Sequence, residues 1–365
     1  MGMTDLSRDM LENILSRLPV ESLRELRFTC KLWNTLFKDR RFIKNRFHKA
    51  AMEVIVLMRS SVSTLIVDMT HMSEGSNYAG IGFHILNGGI SNFYSNEITI
   101  SGMFHCDGLL LLQTMKTDTN KLVVWNPCSK GTRWIELMNH DRSGIFALGY
   151  HNDLCDSYKV LSILDYDPKP EVHIYEINSD SWRPLDDDVP LGCMIKSRGV
   201  SLLGNTYWIA SQVKELLLLS FDFTTETFGC LNLPLERLGF KSLGLSVVKD
   251  EQLAILQQCL DTSRVEIWVA TNDKIDQTKV LSWTKLLAVD LDTCYEEHKF
   301  TCDVSFFIDE EKTVAVCWDR ESLHIFGEDH PHEYIPCGDS SQLHPREGMF
   351  QGWFKFNLEK HGHGY

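Results

Sequence analysis

The stretch VHIYEINSDSWRPL, residues 172–185, contains the pattern that best indicates the architecture of this chain. A run of branched and aromatic residues is followed by a turn rich in Asn, Ser and Asp, and Trp182 then opens a second run. This order predicts a β-hairpin, because branched and aromatic side chains suit a pleated strand and short polar residues suit a tight turn. Four further segments have the same form: residues 122–137, 218–231, 265–286 and 323–337.

The second aromatic residue of each hairpin recurs at nearly regular spacing, with intervals of 48, 46, 55 and 51 residues. Intervals near 50 are typical of the blades of a kelch-type β-propeller. We expect these aromatic side chains to be buried between neighbouring blades, because each can remove a large apolar area from water. They are Trp134, Trp182, Phe228, Trp283 and Tyr334.

A second pair of apolar runs precedes three of these hairpins, at residues 201–210, 245–256 and 304–318. Two hairpins supply four strands, which make one propeller blade. The sequence therefore predicts a mainly β body of about six four-stranded blades, with a two-sheet sandwich as the alternative.

Residues outside the clear repeats are expected to complete this body. Residues 53–69 and 90–100 are rich in β-favouring residues and are predicted to form a less regular blade. Residues 348–356 are predicted to contain a closing strand.

The first 50 residues have a different pattern, that of short amphipathic helices. Apolar residues recur at steps of one, three or four, Pro19 ends the first helix, and a second pattern includes Leu23, Leu26 and Trp33. So small a unit buries too little apolar surface to be stable alone, so we expect a partner chain to cover it. Packing on the body remains an alternative. A DNA-reading motif is disfavoured, because the second helix lacks a row of base-reading polar residues.

Charge separates the two parts of the chain. Residues 1–50 hold 11 Lys and Arg against six Asp and Glu, which leaves 25 against 44, a net charge of −19, for the rest. An acidic body argues against nucleic acid as its ligand. No apolar run is long enough to span a membrane, and the eleven cysteines include no CxxC pair, which favours free thiols in a reducing compartment. We therefore expect a cytoplasmic or nuclear protein, or one present in both, without membrane contact.

The order of residues in the head resembles the F-box, the module that docks on Skp1-type adaptors of cullin-RING ubiquitin ligases. The segments Leu18 to Leu23 and Cys30 to Trp33 carry much of this resemblance, whereas Ser7 stands where the family usually has Pro. The resemblance and the helical spacing together predict an adaptor-binding set. It consists of Leu6, Met10, Leu11, Ile14, Leu15, Leu18, Pro19, Leu23, Leu26 and Trp33.

The body resembles the type 1 F-box-associated domain of plant F-box proteins over roughly residues 54–337. Segments such as DGLLLL, residues 107–112, occur in that family's order. The predicted domains are an F-box at 1–49, a kelch-like propeller at 50–345, and a closing strand with a tail at 346–365. The resemblance implies the substrate-recognition subunit of a Skp1–cullin–F-box (SCF) ubiquitin ligase, which presents a protein client and is not itself an enzyme.

Three patterns in the body suggest other chemistry, and each has a simpler explanation. His105 and Cys106 are neighbours on a strand, so they point to opposite faces and we expect no catalytic contact. Tyr207 and Trp208 suggest sugar binding, although core packing explains them better. We expect no cofactor and no metal. The alternative function for the whole chain is a sugar-binding or enzymatic propeller with a helical cap. The zinc candidates are His330, His332, Cys337 and His344, at a spacing that matches no finger.

Loops of unequal length between the repeats are the predicted client-binding elements, because loops vary freely on a rigid scaffold. The acidic body would favour the approach of a client with a basic patch. The loops are residues 70–89, 165–171, 186–199 and 272–280.

Overall fold

The prediction of a mainly β chain with a small helical head is confirmed. Among the residues that the computed structural model describes, there are 25 strands and the helix α1, Arg8–Leu15. The described residues are 8–15, 26, 33, 36, 52–58, 61–67, 84–86, 99–115, 121–126, 131–137, 144–151, 157–164, 170–186, 189–190, 192–213, 215–234, 240–248, 251–259, 263–272, 275, 280–291, 300, 304–309, 313–318, 322–336 and 353–355.

The strands form six antiparallel sheets, which confirms the expected six blades. Blade 1 contains β1 (Met52–Met58), β2 (Ser61–Val67), β3 (His84–Leu86) and the last strand of the chain. Blade 2 contains β4 (Thr99–Cys106), β5 (Leu109–Met115), β6 (Lys121–Trp125) and β7 (Thr132–Glu136). Blade 3 contains β8 (Gly144–Tyr150), β9 (Tyr158–Leu164), β10 (Glu171–Glu176) and β11 (Ser181–Pro184).

The remaining blades follow in chain order. Blade 4 contains β12 (Cys193–Ile195), β13 (Val200–Leu202), β14 (Asn205–Gln212), β15 (Glu215–Asp222) and β16 (Thr227–Leu231). Blade 5 contains β17 (Phe240–Val248), β18 (Gln252–Cys259), β19 (Arg264–Ala270) and β20 (Trp283–Asp290). Blade 6 contains β21 (Ser305–Asp309), β22 (Val314–Trp318), β23 (Ser322–Gly327) and β24 (Glu333–Pro336). The strand that closes blade 1 is β25 (Trp353–Lys355).

Blade 1 is built from both ends of the propeller sequence. The backbone of Phe354 on β25 lies opposite Ile55 on β1, which confirms the predicted closing strand. One part of the expectation for this blade is wrong. The sequence predicts residues 90–100 in this blade, but Thr99 and Ile100 begin β4 of blade 2. The remainder, residues 90–98, lies outside the described residues.

Each predicted hairpin forms the expected pair of strands. In the hairpin of β10 and β11, Tyr175 lies opposite Trp182, and Asp180 N donates to Glu176 O at 3.0 Å across the turn. Asp180 has a φ of 55°, in the left-handed region that Asp adopts more readily than branched residues. The turn of β15 and β16 repeats this form, with Glu226 at a φ of 58°.

The first strands of successive blades contact one another, which places them nearest the shared centre. Strand β4 contacts β8, and β17 contacts β21. Blade 4 differs because its first strand is divided into β12 and β13, which both pair with β14. The second and third strands of the blades supply most of the core, including Trp208, Phe221 and Phe326.

The repeat aromatic residues lie on the outermost strands of blades 2 to 6, and they are less buried than expected. Trp134 is 42% exposed, and the other four are half-buried. The fourth strand is outermost, so neighbouring blades cover only part of each ring. Two of the rings instead join blades by polar contacts: Trp182 Nε1 donates to Glu136 O at 2.8 Å, and Trp283 Nε1 donates to Asn232 O at 3.2 Å.

Candidate partner-binding site

Helix α1 divides the predicted adaptor-binding residues between a buried and an exposed side. Leu11 and Leu15 are 6% and 1% exposed, whereas Met10 and Ile14 are 56% and 43% exposed. Because Met10 and Ile14 are four positions apart, they lie on the same side of the helix, one turn from each other. Two large apolar side chains in this position form a surface that a partner can cover.

The structure describes only some of the other predicted adaptor-binding residues. Leu26 and Trp33 are half-buried, and Leu36, which is not in the predicted set, is buried at 6% exposure. The structure therefore assigns Leu11, Leu15 and Leu36 to interior packing. Four predicted residues lie outside the described residues: Leu6, Leu18, Pro19 and Leu23.

His105 and Cys106 each make a hydrogen bond with a different part of the fold. The His105 ring accepts a hydrogen bond from Gly108 N at its Nε2, at 2.8 Å. Cys106 is fully buried and its Sγ accepts from Ser201 Oγ at 3.1 Å. Burial, followed by a hydrogen bond with Asp107, raises the pKa of the Tyr150 phenol above its usual value. The His105 ring, the Cys106 thiol and the Tyr150 phenol therefore each make a structural contact.

The structure describes two of the four zinc candidates, His330 and His332, and their ring nitrogens contact different partners. His330 Nδ1 lies 2.8 Å from Pro331 O, whereas His332 Nε2 lies 3.1 Å from His324 Nδ1. Among the described residues, no group of three or more His, Cys, Asp or Glu side chains is placed to hold a metal ion. Cys337 and His344 lie outside the described residues.

A buried polar chain around His324 was missed by the sequence reasoning. His324 is fully buried, and its Nε2 lies 2.8 Å from Ser322 Oγ while its Nδ1 contacts His332. The ring of Phe300 packs edge-on against it, with centroids 4.6 Å apart. Alternation along β23 places Ser322 and His324 on the same face, and this spacing was the available signal.

Tyr207 and Trp208, the sugar-binding candidates, are buried at 3% and 1% exposure. Burial raises the pKa of the Tyr207 phenol above its usual value. Their neighbours in the sheet are Ser220 and Leu219 of β15, so both residues belong to the interior of blade 4. The predicted client-binding loops lie partly outside the described residues. Two of them are not loops throughout, because β3 lies within 70–89 and β12 lies within 186–199.

The geometry defines a six-bladed β-propeller protein with a helical module at its N-terminal end. Two family models match the sequence: the F-box domain at residues 3–45 and the F-box associated beta propeller domain at residues 53–347. The chain belongs to the F-box proteins that carry this associated propeller domain. The resemblance recognised in the sequence is therefore confirmed.

Proteins of Arabidopsis thaliana are similar to this chain over most of its length. The F-box/LRR-repeat/kelch-repeat protein At2g27520 is 41% identical over 338 residues, which cover 88% of this chain and 88% of that protein. A relative named for an F-box and kelch repeats, At3g22730, is 43% identical over 362 residues, covering 93% and 92% of the two chains.

Among solved structures, TolB from Acinetobacter baumannii is similar with a TM-score of 0.48 and 10% identity, over 84% of this chain and 66% of that one.

In the part of the chain that the structure describes, no helix has the length and apolarity needed to cross a membrane.

Proposed function

We propose that this protein is the substrate-recognition subunit of an SCF-type ubiquitin ligase. The F-box docks on a Skp1-like adaptor, and the propeller holds a protein client. The observation that carries this proposal is the pair of exposed apolar side chains, Met10 and Ile14, on the F-box helix α1. The adaptor links the chain to the cullin-RING ligase in the cytoplasm, the nucleus or both.

The adaptor contact on α1 is assigned to its exposed side. Met10 and Ile14 would insert into the adaptor, whereas Leu11 and Leu15 hold the helix in place from within. Large apolar anchors that become buried at an interface each contribute about 2 kcal/mol or more to binding. The wider predicted set, from Leu6 to Trp33, includes both kinds of residue.

Each domain has its own role in the proposed mechanism. We assign residues 1–49 to the F-box and 50–345 to the propeller, with the closing strand and tail at 346–365. Holding a client lysine near the charged conjugating enzyme raises its effective concentration, so transfer speeds up without a reacting group from this chain. A cofactor has no part in this mechanism.

Binding of the purified full chain to a purified Skp1-like adaptor tests the proposal. Ile14→Glu should weaken the complex by at least about tenfold, because it places a charge in an apolar interface. Val280→Glu is the matched control, since Val280 is 76% exposed on the propeller and its change should leave binding unaltered. If the folded parent does not bind the adaptor, or if both variants bind like the parent, the proposal is wrong.

A further inference from the structure

A cavity of about 300 Å³ lies where blades 2, 3 and 4 meet. Residues of β4, β5, β6 and β8 line it, together with Trp208 of β14 and residues 197–199 between β12 and β13. Its volume is at the lower end of ligand pockets, which span about 300 to 1,000 Å³. A molecule of one or two rings therefore suits this cavity and would contact three blades at once.

The polar side chains of two walls are already used within the fold. In the bulge from blade 4, Ile209 N donates to Ser197 Oγ at 2.8 Å, and this hydroxyl donates to Arg198 O at 3.0 Å. On blade 2, Ser101 Oγ donates to Gln113 O at 3.3 Å. Arg198 and Gln113 each make a further contact within the protein. These groups therefore fix the shape of the walls, and a ligand does not need them.

The indole N–H of Trp208 differs from these groups. Trp208 is 1% exposed, and its Nε1 makes no hydrogen bond with the residues that the structure describes. Nor is Nε1 one of the partnerless polar atoms that the fold seals completely from solvent. A buried indole N–H usually has a hydrogen-bond acceptor. Trp208 therefore brings an unused donor to the edge of an open space.

Gly199 places this donor at the cavity wall. A Cβ at Gly199 would lie 2.5 Å from Trp208 Nε1 and 2.9 Å from the ring of Phe104. Glycine therefore leaves the indole nitrogen uncovered where any other side chain would meet it. Gly199, Trp208 and Phe104 all line the cavity, so the open space beside Nε1 is the cavity itself.

Much of the remaining lining is apolar. Phe104, Phe146, Leu111 and Leu122 line the cavity and are themselves buried. A water molecule inside a protein needs two to four polar partners, and one indole N–H supplies fewer. A charged ligand would lose its hydration beside these apolar side chains. An uncharged molecule with an apolar body and one acceptor oxygen matches both the rings and the donor.

We propose that this cavity binds a free, uncharged small molecule of one or two rings, whose carbonyl oxygen accepts a hydrogen bond from Trp208 Nε1. A free molecule is favoured over a client segment because the donor ring is almost completely buried. A peptide carbonyl would have to bring its chain into a small cavity to reach it. The site goes beyond the proposed ligase role, since it needs neither adaptor nor client. The bound molecule would stabilise the propeller in proportion to its occupancy.

The test uses the full chain and two probes that share one two-ring skeleton, 1-tetralone and tetralin. Only 1-tetralone has a carbonyl oxygen. In ligand-observed NMR titrations the parent should bind 1-tetralone about fivefold more tightly than tetralin, which is the gain expected from one hydrogen bond. The anion 1,2,3,4-tetrahydro-1-naphthoate should bind more weakly than 1-tetralone, because its charge would be buried among apolar side chains.

Two variants separate the donor from the ring that carries it. Trp208→Phe keeps an aromatic ring and removes the N–H, so it should lose the preference for 1-tetralone over tetralin. Trp134→Phe makes the same change on the outermost strand of blade 2, outside the cavity lining, and should keep the preference. In the parent labelled with nitrogen-15 at its nine tryptophans, the indole resonance that Trp208→Phe lacks should shift with 1-tetralone and much less with tetralin.

The proposal is overturned if the folded parent does not bind 1-tetralone more tightly than tetralin, or if Trp208→Phe keeps the parent's preference. It is also overturned if a nine-residue peptide with a central Phe displaces 1-tetralone and binds more tightly, because the occupant would then be a protein segment. If Trp208→Phe does not fold, Ile145→Phe replaces it. Ile145 lines the cavity and is 36% exposed, so a larger side chain there should weaken binding of both probes. Unchanged binding in Ile145→Phe would refute the site.

Discussion

Arg183 on β11 donates from Nη2 to both carboxylate oxygens of Glu226, at 2.6 and 2.7 Å, and so joins blade 3 to blade 4. Lys159 Nζ donates to the same carboxylate at 2.6 Å. One blade earlier, Arg133 on β7 donates to Asp180 at 3.0 Å. Asp180 and Glu226 occupy the same position in their hairpin turns, so two successive blade junctions are joined by the same kind of arginine–carboxylate ion pair.

Replacing Glu226 by Gln should make stability less dependent on pH. Burial tends to raise the pKa of Glu226, but hydrogen bonds from Arg183 and Lys159 outweigh it and hold the pKa below the ordinary value. A carboxylate with a lowered pKa stabilises the fold above about pH 4.3, and this contribution is lost as the pH falls through the folded-state pKa.

Urea unfolding at pH 7 should therefore show Glu226→Gln to be less stable by about 1 to 2 kcal/mol, because two cationic donors lose their charged acceptor. The difference from the parent should shrink between about pH 5 and pH 3. Glu136→Gln removes an exposed partner of Lys121 and should change stability much less. A difference that stays constant down to pH 3 would contradict the role given to Glu226.

Gly149→Ala should be strongly destabilising. A Cβ at this position of β8 would overlap the ring of Phe223 and the carbonyl oxygen of Gly204, both in blade 4. Overpacking of this kind costs about 1 to 3 kcal/mol. Gly192→Ala is the control, because its Cβ would meet no atom within 4 Å and only its φ of +74° opposes the change, at about 1 kcal/mol. Equal losses in thermal melts would show that the blade junction is not tightly packed.

Leu15→Ala and Ile14→Ala should affect helix α1 differently. Leu15 is 1% exposed, so its truncation removes interior packing worth about 2 to 3 kcal/mol. Ile14 is 43% exposed, and Ala favours a helix more than Ile does. Hydrogen exchange measured by mass spectrometry should show faster exchange of the α1 amides in Leu15→Ala only. Faster exchange in Ile14→Ala as well would place Ile14 in the interior.

Ser322→Ala should destabilise blade 6 by about 1 to 2 kcal/mol. Ser322 Oγ lies 2.8 Å from His324 Nε2, and both residues are almost completely buried, so the variant leaves a buried ring nitrogen without this partner. Urea unfolding measures the change, and Ser179→Ala in an exposed turn is the control. A neutral result for Ser322→Ala would mean that the ring nitrogen is satisfied elsewhere.

Local patterns in the sequence predicted the elements of this fold. Alternating apolar runs, polar turns and a spacing near 50 residues sufficed for the hairpins and for six blades. These features succeed because strand pairing within a hairpin depends on residues close in the chain. The closing strand could be predicted as a strand from its short apolar run, but its pairing with β1 joins residues at the two ends of the propeller sequence and is therefore a tertiary contact.

Contacts between distant residues were decided by the tertiary structure. The helical spacing grouped Met10, Leu11, Ile14 and Leu15 on one face, but it did not show which side of that face packs inside. Ser101 and Ser197 lie 96 positions apart in the sequence, yet both line one cavity where blades 2, 3 and 4 meet. The strands and the family could be predicted from the amino-acid sequence alone, since both depend on local pattern. Tertiary packing decided which side of α1 is exposed and how neighbouring blades are joined, because these depend on contacts that local pattern does not specify.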